Sequence, residues 1–362
     1  MGELEAKLKR VNDFMKARGL GALLLARSAN FAWLSCGGGS HIYTATDGGV
    51  ASLLVTQKGR YFITNNIEAQ RLLEEEGLGA QGWELRSAPW HGASTAVAEL
   101  TKGLQLGSDV PWEGAQELSG DIARLRWSLL DEELGRFRLV GKLAGEAIGE
   151  AARGVRPGMS EHQIAGLLAQ AVWSRGGVPV VVLVATDQRI FTRRHPLPTD
   201  RKMERYAMLV VCARRWGLVA SATRLVHKGK VAQEVRDKAK AVATIDAVFM
   251  SATKPGARVA DIFRRAVATY AQTGYAEEWQ LHHQGGLAGY LPREYIATAQ
   301  SQEVVGLHQA FAWNPSITGT KSEDTILVGE KVPEIITATP DWPTVAVSIE
   351  GQSFPRPGIW EI

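Results

Sequence analysis

The chain has 362 residues, 45% of them apolar and 22% charged, with 41 basic against 38 acidic side chains and a net charge of +3. That length accommodates two domains with separate cores, and the composition is that of a globular protein. The near balance of charge leaves no electrostatic footprint for nucleic acid or for an anionic membrane, and only two cysteines, Cys36 and Cys212, argue against a disulfide framework and for a reducing, cytoplasmic compartment.

At the N-terminus, Leu4, Leu8, Val11 and Met15 recur at helical spacing with charges between them, which is not the pattern of a signal peptide. The spacing predicts a helix over 3–18 that ends at Gly19, followed by a strand over 22–26. The run Gly37-Gly38-Gly39 reads as a tight strand-end turn, because no Lys-Ser/Thr follows it to complete a phosphate cradle. Strands near 50–56 and 61–64 and a charged helix over 67–77 complete an α/β layer pattern. The apolar run at 178–185 is too short to span a membrane.

A charged stretch over 121–152 reads as a long helix, with a domain boundary near 126–133. This gives an N-terminal α/β domain over 1–128 and a second, α+β domain over 129–362. Beyond the boundary the chain repeats at an offset of 98 residues: Pro157-Gly158 matches Pro255-Gly256, Ile164 matches Ile262, and Gly176 matches Gly274. Each copy predicts a helix ending at a Pro-Gly turn, then a second helix stopped by a glycine. Strands follow: 180–185 and the hairpin 210-VVCARRWGLVASATRLV-226 after the first copy, 310–314 and 325–328 after the second. A four-residue turn at Arg214–Gly217 would pair Ala213 with Leu218 and set Val210 opposite Ser221. A sheet wrapped by two related helix pairs encloses a cleft between its halves.

The segment 11-VNDFMKARGLGALLLARSANFAWLSCGGG-39 resembles the opening of the N-terminal domain in the creatinase/prolidase/aminopeptidase P superfamily. The segments 156-RPGMSEHQIA-165, 195-HPLPTDRKMERYAMLVVCA-213, 219-VASATRLV-226, 282-HHQGG-286 and 320-TKSEDTILV-328 resemble, in order, the motifs of its "pita-bread" catalytic domain. The resemblance implies that fold, with a pseudo-twofold curved antiparallel sheet wrapped by helices. In the metallopeptidase members two divalent ions are held by two aspartates, a histidine and two glutamates. Those places fall here on Val210, Ser221, His283, Asn314 and Glu323. One carboxylate and one imidazole cannot offset and bridge two dications, valine cannot ligate, and serine and asparagine are weak neutral donors. The expectation is therefore no metal and no other cofactor.

The superfamily also contains metal-free hydrolases, creatinase among them and, by resemblance, ectoine hydrolase. They depend on a pocket histidine that matches His195, held in an extended segment by Pro196 and Pro198. Imidazole titrates near neutrality and can accept and donate a proton. Strand alternation lets only one of His282 and His283 enter the cleft, and the His-x-x-Gly register selects His283, leaving His282 as a packed or interface residue. Tyr290 takes the place of a second family histidine and is expected to contact substrate. Glu323 is expected either to pair with Lys321, Arg224 or His283, or to bind a cationic substrate group. Arg193, Arg194 and Arg224 are candidate carboxylate anchors, although Arg224 matches a family arginine of structural role. Asn314 and Ser221 are further substrate contacts.

These residues point first to a metal-independent, creatinase-like hydrolase of a C–N bond in a small amino-acid-derived substrate. His195 would shuttle the proton, His283 orient the water and Glu323 hold the substrate. The alternatives are a non-catalytic pita-bread protein that binds a peptide, metabolite or partner, and an Xaa-Pro metallopeptidase with an atypical ligand set. The expected partners are a small molecule or short peptide and a second copy of the chain, with His41 or Tyr43 bordering the cleft of a homodimer partner. No nucleic acid or membrane is expected.

Overall fold

A computed structural model describes residues 2–362. The chain divides into two compact units, Met1–Glu133 with Trp216–Leu218, and Leu134–Arg215 with Val219–Ile362. In the first unit α1 (Glu3–Arg18) buries Val11 and Met15 and ends where Gly19 takes a left-handed φ of 66°. β1 (Ala22–Arg27) leads into α2 (Ser28–Leu34), β2 (Gly48–Thr56), β3 (Arg60–Asn65), α3 (Ala69–Glu74) and β4 (Glu84–Ala88). Then come α4 (Ala96–Leu100), β5 (Leu106–Ser108), β6 (Ala115–Glu117) and α5 (Ser119–Arg124). The strands form one sheet in the order β4-β3-β2-β1-β5-β6, whose packed face includes Leu24, Leu54, Tyr61 and Leu106.

Two expectations are corrected in this unit. The glycine run terminates a helix and not a strand: the Gly37 N–H donates back to the Ala32 carbonyl, closing the end of α2 with φ values of 58° at Cys36 and 111° at Gly37. The charged stretch over 121–152 is not continuous. Arg10 takes the carbonyls of Leu125 and Ser128 at 3.0 and 2.7 Å, which breaks the helix there. A new helix, α6 (Asp131–Gly154), starts where Glu133 accepts from the Leu130 N–H at 2.8 Å, with three acids in its first turn.

The second unit carries the duplication. α6 and α7 (Glu161–Trp173) flank Pro157-Gly158, and further along α9 (Gln233–Ala252) and α10 (Val259–Gln272) flank Pro255-Gly256. Gly158 and Gly256 have φ of 87° and 86°, and the helix-stopping Gly176 and Gly274 have 73° and 88°. The second residue after each Pro-Gly pair bridges a later segment, Ser160 to Lys202 and Arg258 to Val304. Between the helix pairs lie β7 (Val178–Thr186), the short α8 (Gln188–Thr192), β8 (Tyr206–Arg215) and β9 (Leu218–His227). After α10 a 3-10 turn (Glu278–Leu281) precedes β10 (Gly285–Ala288), β11 (Ala310–Trp313), β12 (Ser316–Ile317), β13 (Thr320–Lys321) and β14 (Asp324–Leu327). β15 (Glu334–Ile335), β16 (Thr344–Ile349), β17 (Gln352–Pro357) and β18 (Ile359–Glu361) end the chain.

Two four-stranded sheets result, β18-β9-β8-β7 and β10-β11-β14-β15. They join where Val219 donates to the Gly289 carbonyl at 2.9 Å and Ser221 donates to Thr325 Oγ1 at 2.8 Å. Behind the junction Arg224 and Arg356 converge on Asp324 at 2.8 and 2.6 Å, and Arg356 also reaches Asp246 at 2.8 Å. Arg224 is thus a buried clamp between the sheets and not a substrate anchor. No helix among the described residues is long and apolar enough to cross a membrane.

Candidate active site

One wall of the site is the β8–β9 hairpin with β7 beside it. Its turn has two residues, Trp216 and Gly217, both in the left-handed region at φ 52° and 76°, the primed geometry that follows strand twist. The four-residue turn expected from the sequence does not form, because Arg214 and Arg215 remain in β8. The pairing moves accordingly. Cys212, not Val210, faces Ser221, whose hydroxyl donates to the Cys212 sulfur at 3.2 Å. Alternation still keeps Val210 and Cys212 on one face, where their β7 partners Leu183 and Val181 join them. The result is an apolar wall.

The floor is charged. Glu323, between β13 and β14, is 2% exposed and its carboxylate is fully engaged. Oε1 accepts from Arg293 at 2.9 Å, while Oε2 accepts from Lys321 at 3.0 Å and from the Thr223 hydroxyl at 2.6 Å. The Lys321 pairing was expected. The Arg224 and His283 pairings do not form, and Arg293 is a partner that no motif signals, since it lies in a loop outside all of them. Burial alone would raise the Glu323 pKa, but Lys321, Arg293 and the Thr223 hydrogen bond outweigh it and bring it down to about 2. Glu323 is therefore not free to hold a cationic substrate group.

At the rim three imidazoles meet. His282 Nε2 lies 3.0 Å from His195 Nε2, the His282 and His283 rings stack at 4.4 Å, and the His195 and His283 rings are 5.5 Å apart. His282 thus joins the cluster it was expected to leave. Residues 282–284 lie between the 3-10 turn and the start of β10, so strand alternation does not govern them. His195 is exposed at the rim, His282 is 8% exposed, and His283 accepts from the Gly285 N–H at Nδ1, 3.3 Å away. Desolvation, then the Lys321 charge, lowers the pKa of His195 and brings that of His282 to about 2. Desolvation, then Arg293, brings His283 to about 4. All three rings are neutral at pH 7.

Wall, floor and the rim imidazoles of His195 and His283 line a cavity of about 330 Å³, with Pro292 and Asn314 completing the lining. Asn314 Oδ1 and Arg293 Nε are buried with no hydrogen-bond partner among the described residues. Ser221 lies just beneath, its hydroxyl accepting from Arg293 at 3.3 Å. Three expected contacts fall elsewhere. Tyr290 is buried outside the cavity lining, its place taken by Pro292 and Arg293. Arg194 is held by Glu278 at 2.5 Å and by Thr318, and Arg193 is exposed with its guanidinium turned to the Thr192 carbonyl.

The sequence profile of metallopeptidase family M24 matches residues 135–330, and that of the creatinase/prolidase N-terminal domain matches residues 7–140. The chain belongs to metallopeptidase family M24. The Xaa-Pro dipeptidase of Pyrococcus horikoshii is 21% identical over 360 residues, which cover 94% of this chain and 99% of that one. Among solved structures, an Xaa-Pro dipeptidase from Bacillus anthracis superposes with a TM-score of 0.77 at 19% identity, covering 93% of this chain and 98% of its own. The prolidase from Pyrococcus horikoshii gives 0.78 at 17%, covering 92% and 98%. The N-terminal domain of the FACT complex subunit SPT16 from chickpea gives 0.71 at 11%, covering 93% and 96%. The M24 member therefore has the two-domain pita-bread fold.

The donor set of this M24 chain does not fit a dinuclear metal centre. Of the five positions that the motif resemblance assigns to metal ligands, Val210, Ser221 and Asn314 carry no charge, and the one carboxylate is already neutralised by two side-chain cations. The nitrogens of His195, His282 and His283 lie within 4.8 Å of one another, a spacing open to a transition metal. Against it, His283 uses Nδ1 as an acceptor and the fixed charges of Lys321 and Arg293 repel a dication.

Proposed function

We propose that this M24 protein is a metal-independent hydrolase of a C–N bond in a small amino-acid-derived substrate whose anionic end is bound by Arg293 and Lys321. The observation that carries the reading is the imidazole rim standing over a cavity that holds two cations against one carboxylate. That balance suits an anion and corrects the expectation of a cationic group at Glu323. The unpartnered Arg293 Nε requires an acceptor and the unpartnered Asn314 Oδ1 a donor, a pair that a carboxylate and an amide or amino N–H supply together. Val181, Leu183 and Val210 dry the cavity and limit it to a short side chain, which strengthens the charges inside.

In the reaction His195 takes a proton from water as the oxygen bonds to the substrate carbon. The negative charge of the tetrahedral intermediate develops in the field of Lys321 and Arg293. The proton then passes to the nitrogen as the C–N bond breaks, so His195 ends as it began.

Turnover of N-acyl amino acids, dipeptides and guanidino acids is measured in excess chelator. Hydrolysis that survives chelation and falls at least about a hundredfold in His195→Ala, with binding kept, is the expected result. Stoichiometric manganese, zinc or cobalt with chelator-sensitive Xaa-Pro cleavage would overturn it in favour of the metallopeptidase reading. Saturation of Glu323 by its own chain also favours a second reading, ligand binding without turnover. Calorimetric binding of these anions with no product formed would establish that one.

A further inference from the structure

His282 has no part in that reaction, yet it makes the closest polar contact to His195. Two neutral imidazoles whose Nε2 atoms are 3.0 Å apart hold one proton between them, one ring donating and the other accepting. Whichever role His282 takes at Nε2, its Nδ1 takes the opposite one. That Nδ1 is buried without a partner among the described residues, and so are the hydroxyl oxygens of Ser316 and Thr320. All three residues line one small cavity of about 10 Å³, whose lining is completed by Ile190 and Met208 and by the cationic Arg193, Arg194 and Lys321. The space fits a single water, and three orphaned polar groups around it satisfy the water's need for two to four partners.

We propose that one buried water links His282 Nδ1–H to the Ser316 and Thr320 hydroxyls and so makes His282 the positioning residue of His195. The water oxygen accepts from Nδ1–H and its two hydrogens go to the hydroxyl oxygens. His282 then presents a bare Nε2 that accepts from His195 Nε2–H. The other nitrogen of His195 keeps its lone pair for the proton of the attacking water. When His195 is protonated, the same Nε2–H becomes a charge-assisted donor and strengthens, and no proton leaves the ring pair. The inference rests on the reading of His195 as the base, but its test needs no substrate.

Full-length protein labelled with nitrogen-15 at histidine reports, in long-range proton–nitrogen spectra at neutral pH, which nitrogen of each ring carries the proton. The expected result is His195 protonated at Nε2 and His282 at Nδ1, with a bias of roughly tenfold or more, the size one neutral hydrogen bond supports. His282→Phe should cut the His195 bias severalfold, back to the modest Nε2–H preference of an unpartnered imidazole, whereas His283→Phe should leave it in place. The Ser316→Ala/Thr320→Val double variant, which adds no bulk, should weaken the bias and expose the His282 Nδ1 proton to rapid exchange. It serves in place of His282→Phe should that variant not fold.

His195 protonated at Nδ1 in the parent protein, or an unchanged bias in a folded His282→Phe variant, would overturn the proposal. So would tight cobalt(II) binding through the three histidines, because both Nε2 atoms would then be ligands. If the tautomers are as stated but no substrate is hydrolysed, the positioning role stands and the base assignment fails.

Discussion

Glu323 shows how one residue decides what a cleft can do. A carboxylate at 2% exposure needs counter-charge, and Arg293 and Lys321 provide it from within the chain. Removing one partner of such a buried group leaves charge uncompensated. Arg293→Met should therefore lower the free energy of unfolding by about 3 kcal/mol at neutral pH, read by urea denaturation. The Glu323 pKa is depressed from 4.5 to about 2 in the fold, so the stability this cluster contributes is complete above about 4.5 and lost as pH falls towards 2. The deficit of the variant should shrink over that window; a deficit independent of pH would mean that packing and not charge holds Arg293. Lys321 was legible in the sequence because it lies two residues from Glu323. Arg293 was not, because a motif names positions along the chain and this cation arrives from a loop that only the fold brings near.

At the scale of elements, backbone conformation sets the rim. Gly285 opens β10 at φ 96°, and a Cβ there would lie 2.1 Å from the Ala312 carbonyl oxygen of the paired strand β11. Gly285→Ala should cost about 3 kcal/mol, combining strain at positive φ with displacement of a strand. It should also shift the His283 ring, whose Nδ1 accepts from the Gly285 N–H. A melting temperature and a His283 resonance both unchanged from the parent would refute the pairing described here. The helices were legible from periodicity and from their Pro-Gly and glycine ends, because those signals are local. The hairpin register was not. A tryptophan in the left-handed region departs from the Asn-Gly pattern of two-residue turns, so the Arg-Arg-Trp-Gly run read as a longer loop. His282 escapes strand alternation for a related reason, since it lies three residues before β10 begins.

Across the whole molecule, the duplication was readable at its 98-residue offset because each copy repeats the same two backbone constraints, a Pro-Gly turn and a stopping glycine. What no offset reveals is how many buried groups titrate together. His282 and His283 fall from 6.5 to about 2 and about 4 in the fold, so the unfolded chain binds more protons than the native one below about 6.5. Their contribution is full above that pH and is lost on acidification. Asp246 acts in the opposite sense. Its burial outweighs Arg356 and raises it from 3.8 to about 6, so it favours the fold below 3.8 and loses that contribution as pH rises through 6. The two histidines outweigh Asp246 by about one proton near pH 5, a slope of about 1.4 kcal/mol per pH unit, and the lowered pKa of His195 and, towards 4.5, that of Glu323 steepen it. Unfolding free energies measured between pH 6 and 4.5 should therefore fall with acid at about that rate or faster, and His282→Gln, which removes one of the histidine protons, should make the slope shallower by about 1.4 kcal/mol per pH unit. A parent protein that grows more stable over the same interval would show that Asp246 and not the imidazole rim governs its response to acid.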